Sequence, residues 1–263
     1  MKPENISSRQ SEILDLLRTG GELTVQEIAA RFQVTTVTAR RDLDHLAALS
    51  LLHRTHGGAM PPRTSNLQIT FARGGDEHLL EKSAIGREAA RMVEPGMRIV
   101  LDTGTTTLEV ARAIADIADL TVLTSSLAVA ASLYSRERIE LVLLGGTVRR
   151  NSPDLSGPMT EDNLRNLRSE LAILGADAID RDGLYTSDLS VARISELMIA
   201  GARKVVVVAD SSKFQRSSFS RFAAWEQVDV LVTDDALPAD VRGWLAEKVK
   251  EIRIAPLGAK KAR

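Results

Sequence analysis

The hydrophobic positions in the first 60 residues follow the period of three short amphipathic helices. We predict a first helix from Ser8 to about Thr19, ended by the glycine pair that follows it. Thr24-Val25-Gln26-Glu27 is a capping box that begins the second helix, and Thr35 can cap the third. A tight turn separates the second helix from the third. This spacing predicts a helix-turn-helix.

The third helix has one apolar stripe, formed by Ala39, Leu43 and Leu46, so its opposite side is polar. Arginine can reach guanine edges or phosphates, whereas Thr and Val can contact phosphate oxygens or thymine methyl groups. An ordinary solvated helix is the alternative on these residues alone. We predict a DNA recognition helix whose contact residues are Thr36, Val37, Thr38, Arg40, Arg41 and His45.

A β-hairpin is predicted after the third helix, because apolar and polar residues alternate from 51 to 59 around a Gly-Gly pair. This hairpin would be the wing of a winged helix. Arg54 and His56 would share one face of its strand and be available to the DNA backbone. A plain loop that closes a helical domain is the alternative.

A domain boundary is predicted after this hairpin, where Pro61-Pro62-Arg63-Thr64-Ser65-Asn66 is stiff and polar. We therefore place a DNA-binding domain at 1–60, a linker at 61–76 and a second domain at 77–263. The second domain opens with a helical pattern from about Glu77 to Val93.

Six nearly continuous, β-branched apolar runs alternate with helical patterns in the rest of the chain. Such runs are typical of buried parallel strands. We predict an α/β domain with a doubly wound, mostly parallel sheet, helices on both faces, and ligands at the carboxyl ends of the strands. The runs are 98–102, 120–124, 139–144, 171–175, 204–210 and 228–233.

Hydroxyl groups, glycines and cations gather where four of these strands end. In the loop that follows Asp102, Gly104 allows close approach, and helix N–H groups with three Thr hydroxyls favour a phosphate. The GK[ST] ending of a P-loop is missing, which disfavours a nucleoside triphosphate. A helix cap without a ligand is the alternative. We predict a site for a small phosphorylated polyhydroxy compound, formed by Asp102, Gly104, Thr105, Thr106, Thr107, Ser125, Ser126, Gly145, Gly146, Arg149, Asp210 and Lys213.

Composition narrows the classes of function. The chain is 44% hydrophobic and 26% charged, as in ordinary soluble proteins, and it has no cysteine and four scattered histidines. We therefore expect no disulfide framework, no metal site and no cofactor. The net charge of −1 means that any DNA contact is a local patch. With no long apolar run and no signal-like N-terminus, we expect a cytoplasmic protein.

The N-terminal motifs resemble the DeoR family of bacterial transcriptional regulators. They run Val34-Thr35-x-x-Thr38-x-Arg40-Arg41-Asp42-Leu43-x-x-Leu46, then Arg54-x-His56-Gly57-Gly58-Ala59. The second half is similar to the DeoR-type sensor domain at Lys82, Asp102-x-Gly104-Thr105-Thr106-Thr107, Gly145-Gly146, Gly157-Pro158, Gly183-Leu184 and Asp210-Ser211-Ser212-Lys213-Phe214. That domain resembles sugar-phosphate isomerases such as ribose-5-phosphate isomerase in fold.

The resemblance implies a repressor, usually of a sugar-use operon, that is released or modulated by a phosphorylated sugar. Its partners would be double-stranded operator DNA, the sugar phosphate and copies of itself in a homodimer or homotetramer. Lys82 stands where such sensor domains carry a lysine, so it joins the predicted effector-binding residues.

Two stretches of the second half depart from the family pattern. Ser125 stands where Asn is common, and between 186 and 200 Ser187, Ser190-Val191-Ala192 and Ser195-Glu196 replace the usual Pro, Glu-Glu-Ala and Lys-Arg. Arg193 stands where an acid is common. Of the properties that the resemblance implies, the identity of the effector is therefore the least transferable to this chain.

Two other functions compete with the repressor. One is a sugar-phosphate isomerase with an appended DNA-binding domain, in which Asp102 or Asp210 would transfer the proton. The other is a protein-interaction module, for which Arg40 and Arg41 would be dispensable. We expect a regulator and not an enzyme, because no sequence feature requires turnover and the helix-turn-helix of an isomerase would be idle.

Overall fold

The computed structural model describes residues 7–48, 51–55, 57–60, 77–149 and 152–257. The chain divides into two compact units between residues 69 and 70, and each unit is described by itself. His56 and the predicted linker at 61–76 lie outside the described residues.

In its described residues the first unit contains three helices and a small antiparallel sheet, which confirms the predicted winged helix-turn-helix. Its elements are α1 Ser8–Gly20, β1 Leu23–Thr24, α2 Val25–Arg31, α3 Thr36–Ala48, β2 His53–Arg54 and β3 Gly58–Met60. The predicted capping box forms, since Glu27 Oε2 accepts from Thr24 N at 2.7 Å and Thr24 Oγ1 accepts from Glu27 N at 3.2 Å. Ile13, Leu43 and Leu46 are fully buried in its core.

The wing has a third strand that the sequence pattern did not predict. Strand β3 lies between β2 and β1, so Leu23 and the first residue of the capping box, Thr24, complete the sheet. Gly58 is required at this contact, because a Cβ there would lie 2.0 Å from the Leu23 carbonyl oxygen. The hairpin is therefore held against the helices through a close backbone contact.

The second unit is an α/β domain. Its helices are α4 Leu79–Ala90, α5 Thr105–Ile114, α6 Leu127–Leu133, α7 Pro158–Arg165, α8 Leu189–Gly201 and α9 Ala239–Lys248. Its strands are β4 Arg98–Leu101, β5 Leu120–Thr124, β6 Ile139–Leu143, β7 Thr147–Val148, β8 Leu155–Ser156, β9 Ser169–Leu174, β10 Ala178–Asp180, β11 Gly183–Thr186, β12 Ala202–Val208, β13 Ser220–Ala223, β14 Val230–Asp234 and β15 Glu251–Ala255.

A seven-stranded parallel sheet forms the centre of this unit, in the order β15-β14-β12-β9-β4-β5-β6. Along the chain, β4 is the first strand of this sheet, β5 the second and β9 the fourth. Strand β4 therefore pairs with both the second and the fourth strand. The direction of winding reverses between β4 and β9, which is the topological switch point where doubly wound sheets bind ligands. The predicted doubly wound architecture is confirmed.

The two faces of the sheet carry separate cores. Ile99 and Leu101 pack with buried residues of α4, α5 and α6, whereas Val100 packs with buried residues of α8 and α9. This alternation is the two-residue period of a strand that is buried on both sides. It confirms the prediction of helices on both faces.

Three features of the second unit differ from the predicted pattern. Strand β15 was not predicted, because Glu251 and Arg253 alternate with apolar residues at this edge of the sheet. Two small antiparallel sheets, β10-β11-β13 and β7-β8, were also not predicted. Helix α4 begins at Leu79, after His78 in the left-handed conformation with φ of 58°, and ends at Ala90. No helix in the described ranges has the length and apolar character needed to cross a membrane.

Candidate functional site

Helix α3 exposes five of the six side chains that were predicted from its sequence to contact DNA. Thr35 Oγ1 accepts a hydrogen bond from Thr38 N at 3.2 Å, so Thr35 caps the helix as expected. Thr38 is half-buried, and its hydroxyl also bonds to that of Thr35 at 3.0 Å. The remaining predicted contact residues of the helix are exposed to solvent, namely Thr36, Val37, Arg40, Arg41 and His45. They form one polar face that is open to a nucleic acid.

A buried carboxylate fixes the orientation of this helix. Asp42 is only 6% exposed, and it accepts hydrogen bonds from Arg9 Nε at 2.6 Å and from Gln10 Nε2 at 2.9 Å. Because both donors lie on α1, Asp42 joins the first helix to the third. Sequence reasoning missed this role, although an acid on the inward side of an amphipathic helix was a signal for it.

Arg54 stabilises the wing through two contacts. Its Nε lies 2.9 Å from Asp44 Oδ1, and its Nη1 donates to the Gly58 carbonyl oxygen at 2.7 Å. Its guanidinium therefore joins α3 to the hairpin. The predicted contact between Arg54 and phosphate remains a prediction, and it would require these bonds to rearrange.

A cavity of about 430 Å³ lies at the carboxyl ends of β4 and β9, at the switch point of the sheet. This volume is within the usual range of small-molecule sites. The residues that line it are Asp102, Thr103, Gly104, Thr105, Thr106, Thr107, Arg149, Ser152, Gly175, Ala176, Asp177, Thr186, Ser187, Asp188, Val191, Ser195, Lys213 and Phe222. Seven of the predicted effector-binding residues are among them.

The N-terminus of α5 opens into this cavity. It follows Gly104, whose φ of 129° suits glycine, and no side chain of the described residues caps it. The N–H groups of the first turn have no partner within the helix, so they are donors for an anion. Thr107 is fully buried, and its Oγ1 donates to the Gly104 carbonyl oxygen at 3.0 Å. The hydroxyls of Thr105 and Thr106 are therefore the better candidates for ligand contact.

Asp102 is a buried carboxyl at the same point. It is 4% exposed, its Oδ2 accepts from Gly175 N at 3.2 Å, and its Oδ1 has no hydrogen-bond partner among the described residues. Burial raises the pKa of Asp102 to about 7, with smaller increases from Asp154 and Asp177, although backbone N–H groups oppose the shift. Near neutral pH this carboxyl can either donate or accept a hydrogen bond.

Arg149 lines the cavity but already has two carboxylate partners. Its Nε and Nη2 donate to the two oxygens of Asp154 at 2.6 and 2.7 Å, and its Nη1 donates to Asp188 Oδ2 at 2.8 Å. These hydrogen bonds raise its pKa, with that from Asp154 the largest contribution. Its charge is therefore neutralised by Asp154 and Asp188, and the predicted contact of Arg149 with the ligand remains a prediction. Lys213 is the other cation of the cavity wall.

Four predicted residues are not part of the cavity wall in the described structure: Ser125, Ser126, Gly145 and Gly146. Ser126 Oγ accepts from Val129 N at 3.2 Å and caps α6, and Ser125 is fully buried. A Cβ at Gly146 would lie 2.2 Å from Thr160 Oγ1. Gly145 and Gly146 thus allow the turn after β6 to pack on α7. This packing explains the two glycines without a ligand.

Lys82 and Asp210 also lie outside the cavity wall. Lys82 is 5% exposed, and its Nζ donates to the Glu77 carbonyl oxygen at 2.5 Å. Burial lowers its pKa, whereas the charge of Asp210 opposes this shift. Asp210 caps the 3₁₀ turn Ser211–Gln215 by accepting from Ser212 N at 3.1 Å. Asp210 therefore stabilises the turn that carries Lys213.

One part of the cavity wall, which contains Asp177, Ser187 and Ser195, was missed by sequence reasoning. Asp177 precedes β10, and its Oδ2 accepts from Thr186 Oγ1 at 3.2 Å and from both Ser187 N and Ser187 Oγ at 2.9 Å. Ser195 on α8 is 1% exposed, and its Oγ is unpartnered in the part of the chain that is described. The departures from the family pattern at Ser187 and Ser195 were the signal, because both residues line the cavity.

Comparisons with known proteins agree with both units. The model of the DeoR-like helix-turn-helix domain matches residues 9–64, and that of the DeoR C terminal sensor domain matches residues 77–235. The transcriptional repressor AccR of Agrobacterium fabrum is 37% identical over 86% of this chain and 88% of its own length. The HTH-type transcriptional regulator GlpR of Haloferax volcanii is 35% identical over 90% of this chain and 92% of its own.

Two further proteins are similar. The glycerol-3-phosphate regulon repressor of Escherichia coli is 32% identical over 89% of this chain and 93% of its own length. Among solved structures, ribose 5-phosphate isomerase A of Methanocaldococcus jannaschii matches 53% of this chain and 55% of its own, with 21% identity and a TM-score of 0.38.

Proposed function

Because this chain belongs to the DeoR family of transcriptional regulators, we propose that it represses a carbohydrate-use operon under the control of a phosphorylated sugar. The observation that carries the proposal is the cavity at the switch point, into which the uncapped N-terminus of α5 opens beside Lys213. Helix N–H groups and a lysine ammonium are the donors that a phosphate group needs. The protein acts in the cytoplasm, where both DNA and sugar phosphates are present.

Operator DNA is bound by the exposed face of α3. Arg40 and Arg41 enter the major groove, and Val37 lies near thymine methyl groups. Two or four copies of the chain bind repeated half-sites, because one helix reads only a few base pairs. The sugar phosphate changes DNA affinity by favouring one arrangement of the assembly over another.

A fluorescence-anisotropy titration of the chain with its own upstream DNA tests the first half of the proposal. The double variant Arg40→Ala, Arg41→Ala is expected to bind at least about tenfold more weakly, since one good base contact is worth that factor. The control is Arg136→Ala, Arg138→Ala, which removes two exposed arginines from the second unit. Equal affinity of the two double variants would contradict DNA binding by α3.

The second half of the proposal, control by a sugar phosphate, is tested by repeating the titration with a panel of sugar phosphates. One of them is expected to change the dissociation constant for DNA by at least about fivefold. In Lys213→Ala this response is expected to be lost, while DNA binding without ligand stays the same. A response that survives the substitution would place the effector elsewhere.

The expectation that this chain is not an enzyme remains a prediction. The isomerase alternative requires Asp102 to move a proton between sugar carbons, for which a pKa of about 7 is suitable. A coupled assay with ribose 5-phosphate decides between the two. Turnover that disappears in Asp102→Asn would establish the enzyme.

A further inference from the structure

We propose that the cavity at the switch point selects a sugar phosphate that carries a protonated amine. The N-terminus of α5 and Lys213 would hold the phosphate, and Asp177 with Asp102 would hold the ammonium group. This inference rests on the proposed function and specifies the class of its effector.

The first argument is the charge of the cavity wall. Asp102, Asp177 and Asp188 line the cavity together with Arg149 and Lys213. The guanidinium of Arg149 already binds Asp188 and both oxygens of Asp154, which leaves Lys213 as the cation available to a ligand in the described wall. A phosphate brings nearly two negative charges into this acidic surrounding, so a positive group on the same ligand is favoured.

The second argument is the pairing of Asp177. Its Oδ2 is held by the Thr186 hydroxyl and by the backbone and hydroxyl of Ser187, all of which are neutral. Within the described ranges, no Lys, Arg or His forms an ion pair with it, and its Oδ1 receives no hydrogen bond. The neighbouring loop therefore fixes this carboxylate while one of its oxygens stays available to a donor.

The third argument comes from two buried polar atoms of the wall. Asp102 Oδ1 and Ser195 Oγ have no partner in the described structure, and their residues are 4% and 1% exposed. Buried polar groups without partners are costly, so such atoms at a cavity indicate a ligand that supplies the partners. An ammonium group offers three donors to acceptors such as these, and it also neutralises charge, which a sugar hydroxyl does not.

Isothermal titration calorimetry of the full chain with matched sets of ligands tests the proposal. Each set contains an amino sugar phosphate, its hydroxyl parent and its N-acetyl derivative: glucosamine, glucose and N-acetylglucosamine 6-phosphate, and the same set for galactose and mannose. In at least one set the amine is expected to bind at least about tenfold more tightly than both neutral analogues. Equal affinities within every set, or no binding in any set, would overturn the proposal.

A variant identifies the group responsible. Asp177→Asn keeps an oxygen for the loop donors and removes the charge, so it should reduce amine affinity about tenfold and leave the hydroxyl parent within about twofold. The matched control, Asp182→Asn, changes an exposed residue between β10 and β11 that does not line the cavity and should leave both affinities unchanged. If Asp177→Asn does not fold, the comparison of the three ligands on the unaltered chain still decides.

Two further outcomes separate this inference from the proposed function. If hydroxyl parents bind as tightly as amines and change DNA affinity, the repressor proposal stands and the amine preference is wrong. If no sugar phosphate binds while operator binding persists, control by a sugar phosphate is wrong as well.

Discussion

The replacement of Asp102 by Asn should change how the stability of the second unit depends on pH. In the folded protein, burial raises the pKa of this carboxyl from 3.8 to about 7. Between these two values the folded state holds a proton that the unfolded state has released. Stability is therefore lost as pH rises through this window, and the loss levels off above the folded pKa.

The size of the effect follows from the shift. A pKa difference of about 3 units corresponds to about 4 kcal/mol of unfolding free energy, since each unit is worth about 1.36 kcal/mol. Part of this loss has already occurred at mildly acidic pH. Between about pH 5 and about pH 8, the linkage relation assigns a loss of about 2–3 kcal/mol to this carboxyl.

Urea unfolding at these two pH values, followed by tryptophan fluorescence, measures the loss. Both tryptophans, Trp225 and Trp244, lie in the second unit, so the signal reports this unit alone. Asn keeps an oxygen for the N–H of Gly175 and has no charge to bury. The decrease from low to high pH should therefore be about 2–3 kcal/mol smaller in Asp102→Asn than in the unaltered chain.

The control for this measurement is Asp182→Asn, which alters an exposed carboxyl. It should keep the pH dependence of the unaltered chain. Buffers without phosphate are needed, because an anion bound at α5 would stabilise the folded state. If the curves of Asp102→Asn and the unaltered chain are parallel between the two pH values, the reasoning about burial at this site is refuted.

Four glycine substitutions give further predictions. Gly58→Ala should destabilise the first unit by about 1–3 kcal/mol in thermal circular dichroism, because its Cβ would lie 2.0 Å from the Leu23 oxygen. Gly57→Ala meets no atom within 4 Å and should change little, so equal melting of the two variants would contradict the packing argument. Gly146→Ala should lower the urea midpoint of the second unit even without ligand, since the glycine serves packing on α7; an unchanged midpoint would contradict this. Gly243→Ala, inside α9 with open space around it, should raise stability by about 0.5–1 kcal/mol, and any loss would count against it.

The sequence by itself determined the local structure and the class of fold. Helix caps such as Thr24 with Glu27, and Thr35, act over three residues, so their hydrogen bonds can be inferred from spacing alone. The apolar runs of the parallel strands reflect burial on both faces, which also requires no knowledge of the partners. Strand β15 escaped this reasoning because an edge strand is less buried and its pattern alternates.

Tertiary structure decided which residues of the site are free to bind. From the sequence, Arg149 is expected to contact the ligand. In the fold its charge is neutralised by Asp154 and Asp188, which lie 5 and 39 positions away along the chain. Asp177 has no motif around it, and only the fold brings it to the cavity beside Asp102. Partner choice, burial and the resulting pKa depend on distances in space between residues far apart in sequence. Sequence periodicity therefore predicts where the site lies, and the packed fold sets its charge.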